Sequence, residues 1–143
     1  MSVKQISVFL ENRPGALKGM TEVLAENRID MRALSLAETT DFGIARLIVD
    51  DVLETATVLK DAGFVSSMTP VVAAAIPDET GGLDSLLGIL SEAGVNIEYM
   101  YAFLGGSSGH AYMIFRVEDA RKAEAAFRSK GVKCLSQEEI SAL

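Results

Sequence analysis

The chain has 143 residues, of which 49% are hydrophobic, enough to bury a core and too many for a disordered tail. Its 13 basic and 20 acidic residues leave a net charge of −7 with no basic stripe, so a nucleic-acid partner is not expected. A single cysteine, Cys134, and a single histidine, His110, exclude an internal disulfide and a Cys/His metal cluster within one chain, and no run approaches the roughly 18 apolar residues of a membrane span.

In chain order, Ile6, Val8 and Leu10 alternate with Ser7 and Phe9, the period of a strand. Residues 12–15 break it, with Pro14 expected in the first turn of a helix, where its missing N–H costs nothing. Leu17, Met20, Val23 and Leu24 follow at helical spacing. A strand over residues 30–38 turns at residues 40–43 into another over residues 44–49. Asp50 or Asp51 can cap a second helix with Val52, Ala56 and Leu59 on its inner face; Gly63 ends it, and a strand starts near Phe64.

Residues 66–70 are too short for a floppy linker, so the two halves are expected to be tightly docked. Residues 71–76 are almost wholly apolar, which suits a central strand. After a break at residues 77–82, Leu83, Leu86, Leu87 and Leu90 form the stripe of an amphipathic helix that Gly94 closes. Ile97, Tyr99, Tyr101 and Phe103 alternate with Glu98, Met100 and Ala102; residues 105–109 read as a turn into a strand over residues 111–117. Ala120, Ala123 and Phe127 mark a last helix, Gly131 ends it, and a short strand falls near residues 132–135.

This pattern is a repeat. At an offset of 66, Gly15 meets Gly81, Leu17 meets Leu83, Leu24 meets Leu90, Ile29 meets Val95, Met31 meets Ile97 and Gly43 meets Gly109. Gly63 meets Gly131 at 68, which places two extra residues after the second central turn. Each half reads strand–helix–strand–strand–helix–strand, so the expected class is α+β, with two tandem ferredoxin-like βαββαβ domains, 1–69 and 70–143, packed side by side.

The segment Glu11-Asn12-Arg13-Pro14-Gly15-Ala16-Leu17 resembles the ligand loop of ACT domains, small-molecule sensors of amino-acid metabolism, and in particular that of the serine-sensing ACT domain of phosphoglycerate dehydrogenase. Residues 27–31 and 93–97 also fit the family, and residues 97–101 are similar to those of stand-alone tandem ACT proteins. The resemblance implies an amino-acid effector bound at the inter-domain interface near the two loops. It nominates Leu10, Asn12, Arg13, Pro14, Gly15, Ala16 and Leu17 in the first half and Thr80, Gly81, Gly82 and Leu83 in the second. Asp30 and Asn96, at matching positions, would close the pocket from the neighbouring domain.

Physical chemistry agrees with that placement. A tight glycine turn feeding a helix leaves backbone N–H groups unpaired, and with the helix dipole these favour an α-carboxylate. Asn12 offers both a donor and an acceptor. In the second loop, Asp78 and Glu79 oppose a carboxylate; they could attract an ammonium group or merely stabilise the helix start.

Plainer roles stand beside these. Asn12 could be a turn residue, Tyr99 and Tyr101 core or interface residues, His110 an exposed side chain, Cys134 a small buried hydrophobe, and Arg46 and Arg116 strand arginines that reach solvent or pair with carboxylates at an interface. Residues 105–109 lack the spacing of a phosphate loop. No catalytic residues, metal or cofactor are expected. The expected protein is a cytoplasmic, homodimeric regulatory module. One alternative is a non-catalytic regulatory subunit of an amino-acid biosynthetic enzyme, similar to an acetolactate synthase small subunit. An acylphosphatase-like hydrolase would use an arginine and an asparagine together; Asn12 and Arg13 adjoin, but Pro14 follows and the rest of that loop pattern is missing.

Overall fold

The structure, a computed structural model, describes residues 3–38, 40–103 and 109–143. The chain divides into two compact units, Lys4–Thr69 and Pro70–Ser141. Residues 105–108 of the expected glycine-rich turn lie outside the described residues.

The first unit contains β1 (Val3–Glu11), α1 (Ala16–Glu26), β2 (Met31–Glu38), β3 (Phe42–Val49) and α2 (Val52–Asp61), and its strand order is β2-β3-β1-β4, where β4 is Val65–Pro77. β1 pairs antiparallel with β3, setting Leu10 opposite Gly43 and Glu11 opposite Phe42. The core gathers Ile6, Val8 and Leu10 of β1, Met20 and Leu24 of α1, Ala45, Leu47 and Val49 of β3, and Leu59 of α2. The strand expected from near Phe64 and the one expected over 71–76 are a single strand, β4, because the extended backbone continues without a break through residues 66–70.

The second unit takes the remainder of β4 as its central strand, with β6 (His110–Val117) on one side and β7 (Lys133–Leu135) on the other; β5 (Ile97–Ala102) flanks β6. Helices α3 (Gly82–Glu92) and α4 (Ala120–Ser129) supply Leu86, Leu90, Ala123 and Phe127 to a core with Val72, Ala74, Ile76, Phe115 and Val117. Each unit is thus an α+β, ferredoxin-like βαββαβ fold.

Several local expectations are corrected. Pro14 lies in the turn before α1, since Gly15 takes the N-cap with φ 84°, a left-handed conformation that ends the turn and starts the helix at Ala16. The same geometry at Gly81 starts α3 at Gly82, which turns Leu83 outward, 38% exposed, and gives the inner face to Gly82, Leu86 and Leu90. Asp51 caps α2 by accepting from the Glu54 N–H at 3.0 Å, while Asp50 accepts from the Asp30 N–H at 3.1 Å. On α2 the buried residues are Thr55, Val58 and Leu59, with Val52 and Ala56 only half-buried; the Thr55 hydroxyl is tolerated there because it donates to the Asp51 carbonyl at 2.7 Å.

The repeat register also changes. β3 aligns with β6 so that Gly43 matches Ala111, and Gly109 matches Asp41: the Asn12 N–H donates to the Asp41 carbonyl and the Asp78 N–H to that of Gly109. The two additional residues therefore precede Gly109. Both β2 and β5 carry a bulge, between Met31 and Ala33 and between Ile97 and Tyr99. The bulge breaks the simple alternation, putting Ile97 and Met100 against the core and Met31 and Leu34 likewise. A short helix, α5 (Gln137–Ser141), was not expected; its Ser136-x-x-Glu139 capping box is closed in both directions, at 3.1 and 3.2 Å, and its Ile140 is fully buried.

After α3, Gly94 adopts φ 71°, whereas the matching position after α1 holds Arg28 at φ 57°. For a residue with a Cβ this conformation costs about 1 kcal/mol. Arg28→Gly should therefore stabilise the fold by about 1 kcal/mol, and Gly94→Ala should destabilise it by a similar amount, as read from urea denaturation at unchanged slope.

Candidate functional site

The first strand–helix loop is held open by its neighbours. The Asn12 side-chain amide donates to Glu38 Oε2 at 3.1 Å and to the Thr40 carbonyl at 3.4 Å, and its backbone N–H donates to the Asp41 carbonyl at 3.1 Å. Asn12 thus stitches the loop to the turn between β2 and β3 instead of capping α1, whose N-cap makes no side-chain hydrogen bond. Arg13 Nε pairs with Glu11 Oε2 at 2.6 Å, and both side chains stay largely exposed. The loop therefore brings together a guanidinium, two carboxylates and the positive end of α1.

Two cavities flank this loop. One, of about 290 Å³ on the β2 side, is lined by Leu10, Asn12, Arg13, Ala16, Leu17, Leu36, Glu38 and Gly43 among others. The second, of about 380 Å³, opens toward the start of β4 and includes Phe9, Arg13, Gly15, Gly19, Phe42 and Phe64. Of the nominated residues, Leu10, Asn12, Arg13, Gly15, Ala16 and Leu17 line one cavity or both. Leu10 is nearly buried and forms a floor. Pro14 shapes the turn without lining either cavity.

Asp30 is not brought to the loop within its own unit. β3 runs from Phe42, opposite Glu11, to Val49, opposite Met31, so Asp30 stands at the far end of the sheet, where its carboxylate pairs with Arg32. Asn96 occupies the corresponding end of the second unit and lines a cavity of about 440 Å³ with Gly94, Glu118, Asp119 and Lys122.

The second loop has the same backbone and different chemistry. Glu79 donates its N–H to the Pro77 carbonyl and the Gly82 N–H returns to the Glu79 carbonyl, at 2.9 and 3.1 Å. A Cβ on Gly82 would lie 2.7 Å from the Pro77 carbonyl oxygen, so the helix start is pressed onto the strand end. Asp84 adds a carboxylate in the first turn of α3, whereas the first turn of α1 has none. Thr80, Gly81 and Leu83 are exposed around this tight turn.

Sequence reasoning missed Glu38, Leu36, Phe9, Gly19, Phe42 and Phe64. Glu38 and Leu36 reach the loop only through the β2–β3 register, which spacing does not reveal. Gly19, a glycine in mid-helix, and Phe9, an aromatic on the polar face of a strand, were visible signals. Of the two readings for Arg116, pairing with a carboxylate holds: it pairs with Glu98 at 3.0 Å and donates to the Pro70 carbonyl at 3.0 Å.

The whole chain, residues 1–143, matches the family of ACT domain pairs, and the protein belongs to that family. A Bacteroides thetaiotaomicron protein of known structure is 39% identical over 100% of this chain and 98% of its own, with a TM-score of 0.92. The regulatory subunit of aspartate kinase from Thermus thermophilus shares the fold at 19% identity and a TM-score of 0.68, covering 92% of each chain. The corresponding subunit of Thermus flavus is 18% identical, with a TM-score of 0.58 over 90% of this chain and 92% of its own. No curated protein shows significant similarity.

Among the described residues no three His, Cys, Asp or Glu side chains gather as a metal site, and no helix is long and apolar enough to cross a membrane. His110 is exposed, as expected. Cys134 is half-buried in β7. Burial, reinforced by the Glu124 carboxylate, pushes its thiol from 9.0 up to about 11. The thiolate is the reactive form, so this sulfur is a poor nucleophile near neutrality. Iodoacetamide at pH 8 should alkylate the folded protein about 100-fold more slowly than the urea-unfolded chain, followed by mass spectrometry.

Proposed function

We propose that this protein is a non-catalytic regulatory module that binds a free amino acid at the 11–17 loop of its first unit. The observation that carries the reading is the bracing of that loop by Asn12. The bracing fixes the loop whose Glu11 and Arg13 line both flanking cavities, each of suitable size. An α-amino acid carries one anion and one cation about a single carbon, and Arg13 with the α1 N-terminus complements the first while Glu11 complements the second. Membership of the ACT domain pairs and the fold likeness to aspartate kinase regulatory subunits support a regulatory role. The second loop, with Asp78, Glu79 and Asp84 around a helix start pressed onto Pro77, is the weaker candidate for a carboxylate ligand.

Signalling follows from differential affinity. A ligand that binds the braced loop better than an opened one shifts the population toward the braced state, which a partner can read. A second copy of the chain is one such partner, because β2 is an edge strand of the first unit and offers its outer ladder for pairing. A separate amino-acid biosynthetic enzyme is the other reading, favoured by the likeness to regulatory subunits along nearly the whole chain.

Thermal unfolding against a panel of the common amino acids tests the proposal. A ligand at 100 times its dissociation constant should stabilise by about 2.7 kcal/mol, a shift of several degrees. Asn12→Ala should abolish the shift while leaving the ligand-free stability within about 1 kcal/mol of the parent. A flat response to the whole panel would overturn the reading.

A further inference from the structure

The cavity on the β4 side of the loop has a composition that the β2-side cavity lacks. Phe9, Phe42 and Phe64 all line it. Phe9 and Phe42 are 48% and 59% exposed. Large aromatics held in water at the rim of a cavity are an unfavourable arrangement for a chain alone, and such apolar rims mark sites where something binds.

Gly19 points the same way. It lies in the middle of α1, where glycine destabilises a helix by about 1 kcal/mol relative to alanine. A Cβ placed there would meet no atom within 4 Å, so nothing in the fold requires glycine at this position. Gly15 and Gly63, in the same wall, are accounted for by their φ of 84° and 87°, and they also leave the space in front of them open. What Gly19 preserves is room.

The mouth of the cavity carries the Arg13–Glu11 pair, one cation and one anion held 2.6 Å apart. A simple anion would gain from Arg13 and be repelled by Glu11, and a simple cation the reverse. A zwitterion satisfies both, its carboxylate toward Arg13 and its ammonium toward Glu11. The volume of about 380 Å³ is ample for a six-membered ring on a short stem.

From these observations we infer that the β4-side cavity is the chamber for an aromatic amino acid, its ring among Phe9, Phe42 and Phe64 and its charged groups on Arg13 and Glu11. Offset and edge-to-face contacts with the three rings favour an aromatic over an aliphatic side chain of equal size. This inference rests on the amino-acid-binding reading above and names the ligand class and the chamber.

The test is calorimetric titration of the full chain with phenylalanine, leucine, serine and phenylacetate. Phenylalanine should bind at least tenfold more tightly than leucine, and phenylacetate, which lacks the ammonium group, should bind more weakly than phenylalanine. Gly19→Leu fills the chamber with a better helix former, so its ligand-free midpoint should not fall, while phenylalanine binding drops by tenfold or more. Phe42→Ala, at an exposed position, should weaken phenylalanine binding without loss of the fold. Binding of leucine or serine in preference to phenylalanine, or phenylalanine binding untouched by Gly19→Leu, overturns the inference and leaves the amino-acid reading standing. Failure of every amino acid to bind overturns both.

Discussion

A single glycine in each strand–helix turn sets both the packing of the unit and the shape of its loop. Gly15 and Gly81 both sit with φ near 85°, a region that L side chains rarely adopt. That conformation fixes the first helical residue, and the first helical residue fixes which face of the helix turns inward. In the first unit the inward set is Met20 and Leu24; in the second it is Gly82, Leu86 and Leu90. In the first unit the same turn also aims the start of α1 at the cavities beside it. Core and site thus depend on one backbone angle.

Much of this is legible from residue order alone. The period-two runs, the Gly-terminated helices and the 66-residue repeat lead to the correct class and to the strand–helix order of each half, because these signals are local; they miss α5 and the joining of two expected strands into β4. What escapes is set by register. The matched bulges of β2 and β5 redirect Met31, Leu34, Ile97 and Met100 toward the helices, and no periodicity count detects one extra residue in a strand. The two-residue insertion is misplaced by spacing for the same reason: Gly43 and Gly109 look equivalent as letters, yet ladder pairing matches Gly43 to Ala111. The capping box at Ser136 and Glu139, by contrast, is readable in the sequence and went unused.

The loop motif marks a segment flanked by two cavities, but not the surroundings that hold it. Asn12 does not cap the helix; its amide reaches 26 positions along the chain to Glu38. Long-range fastening of this kind makes the loop a pre-shaped element whose donors and acceptors are already in place, which lowers the ordering cost of any contact made there. The two loops show how one backbone accommodates divergent chemistry. Asn-Arg-Pro in the first leaves space and a cation; Asp-Glu-Thr in the second leaves carboxylates around a helix start with no room for even a methyl group at Gly82.

The paired bulges have a consequence for how the protein behaves in a crowded solution. Among the described residues, β2 and β5 each have one ladder partner, β3 and β6 respectively, and a flat edge of that kind is a template for endless addition of further strands. A bulge near the start of each strand interrupts the regular spacing of its N–H and C=O groups and increases its twist. An incoming strand can then match only part of the edge. Edge-to-edge extension of the sheet through these strands is thereby hindered, a safeguard built into the backbone and independent of any charged gatekeeper on the surface.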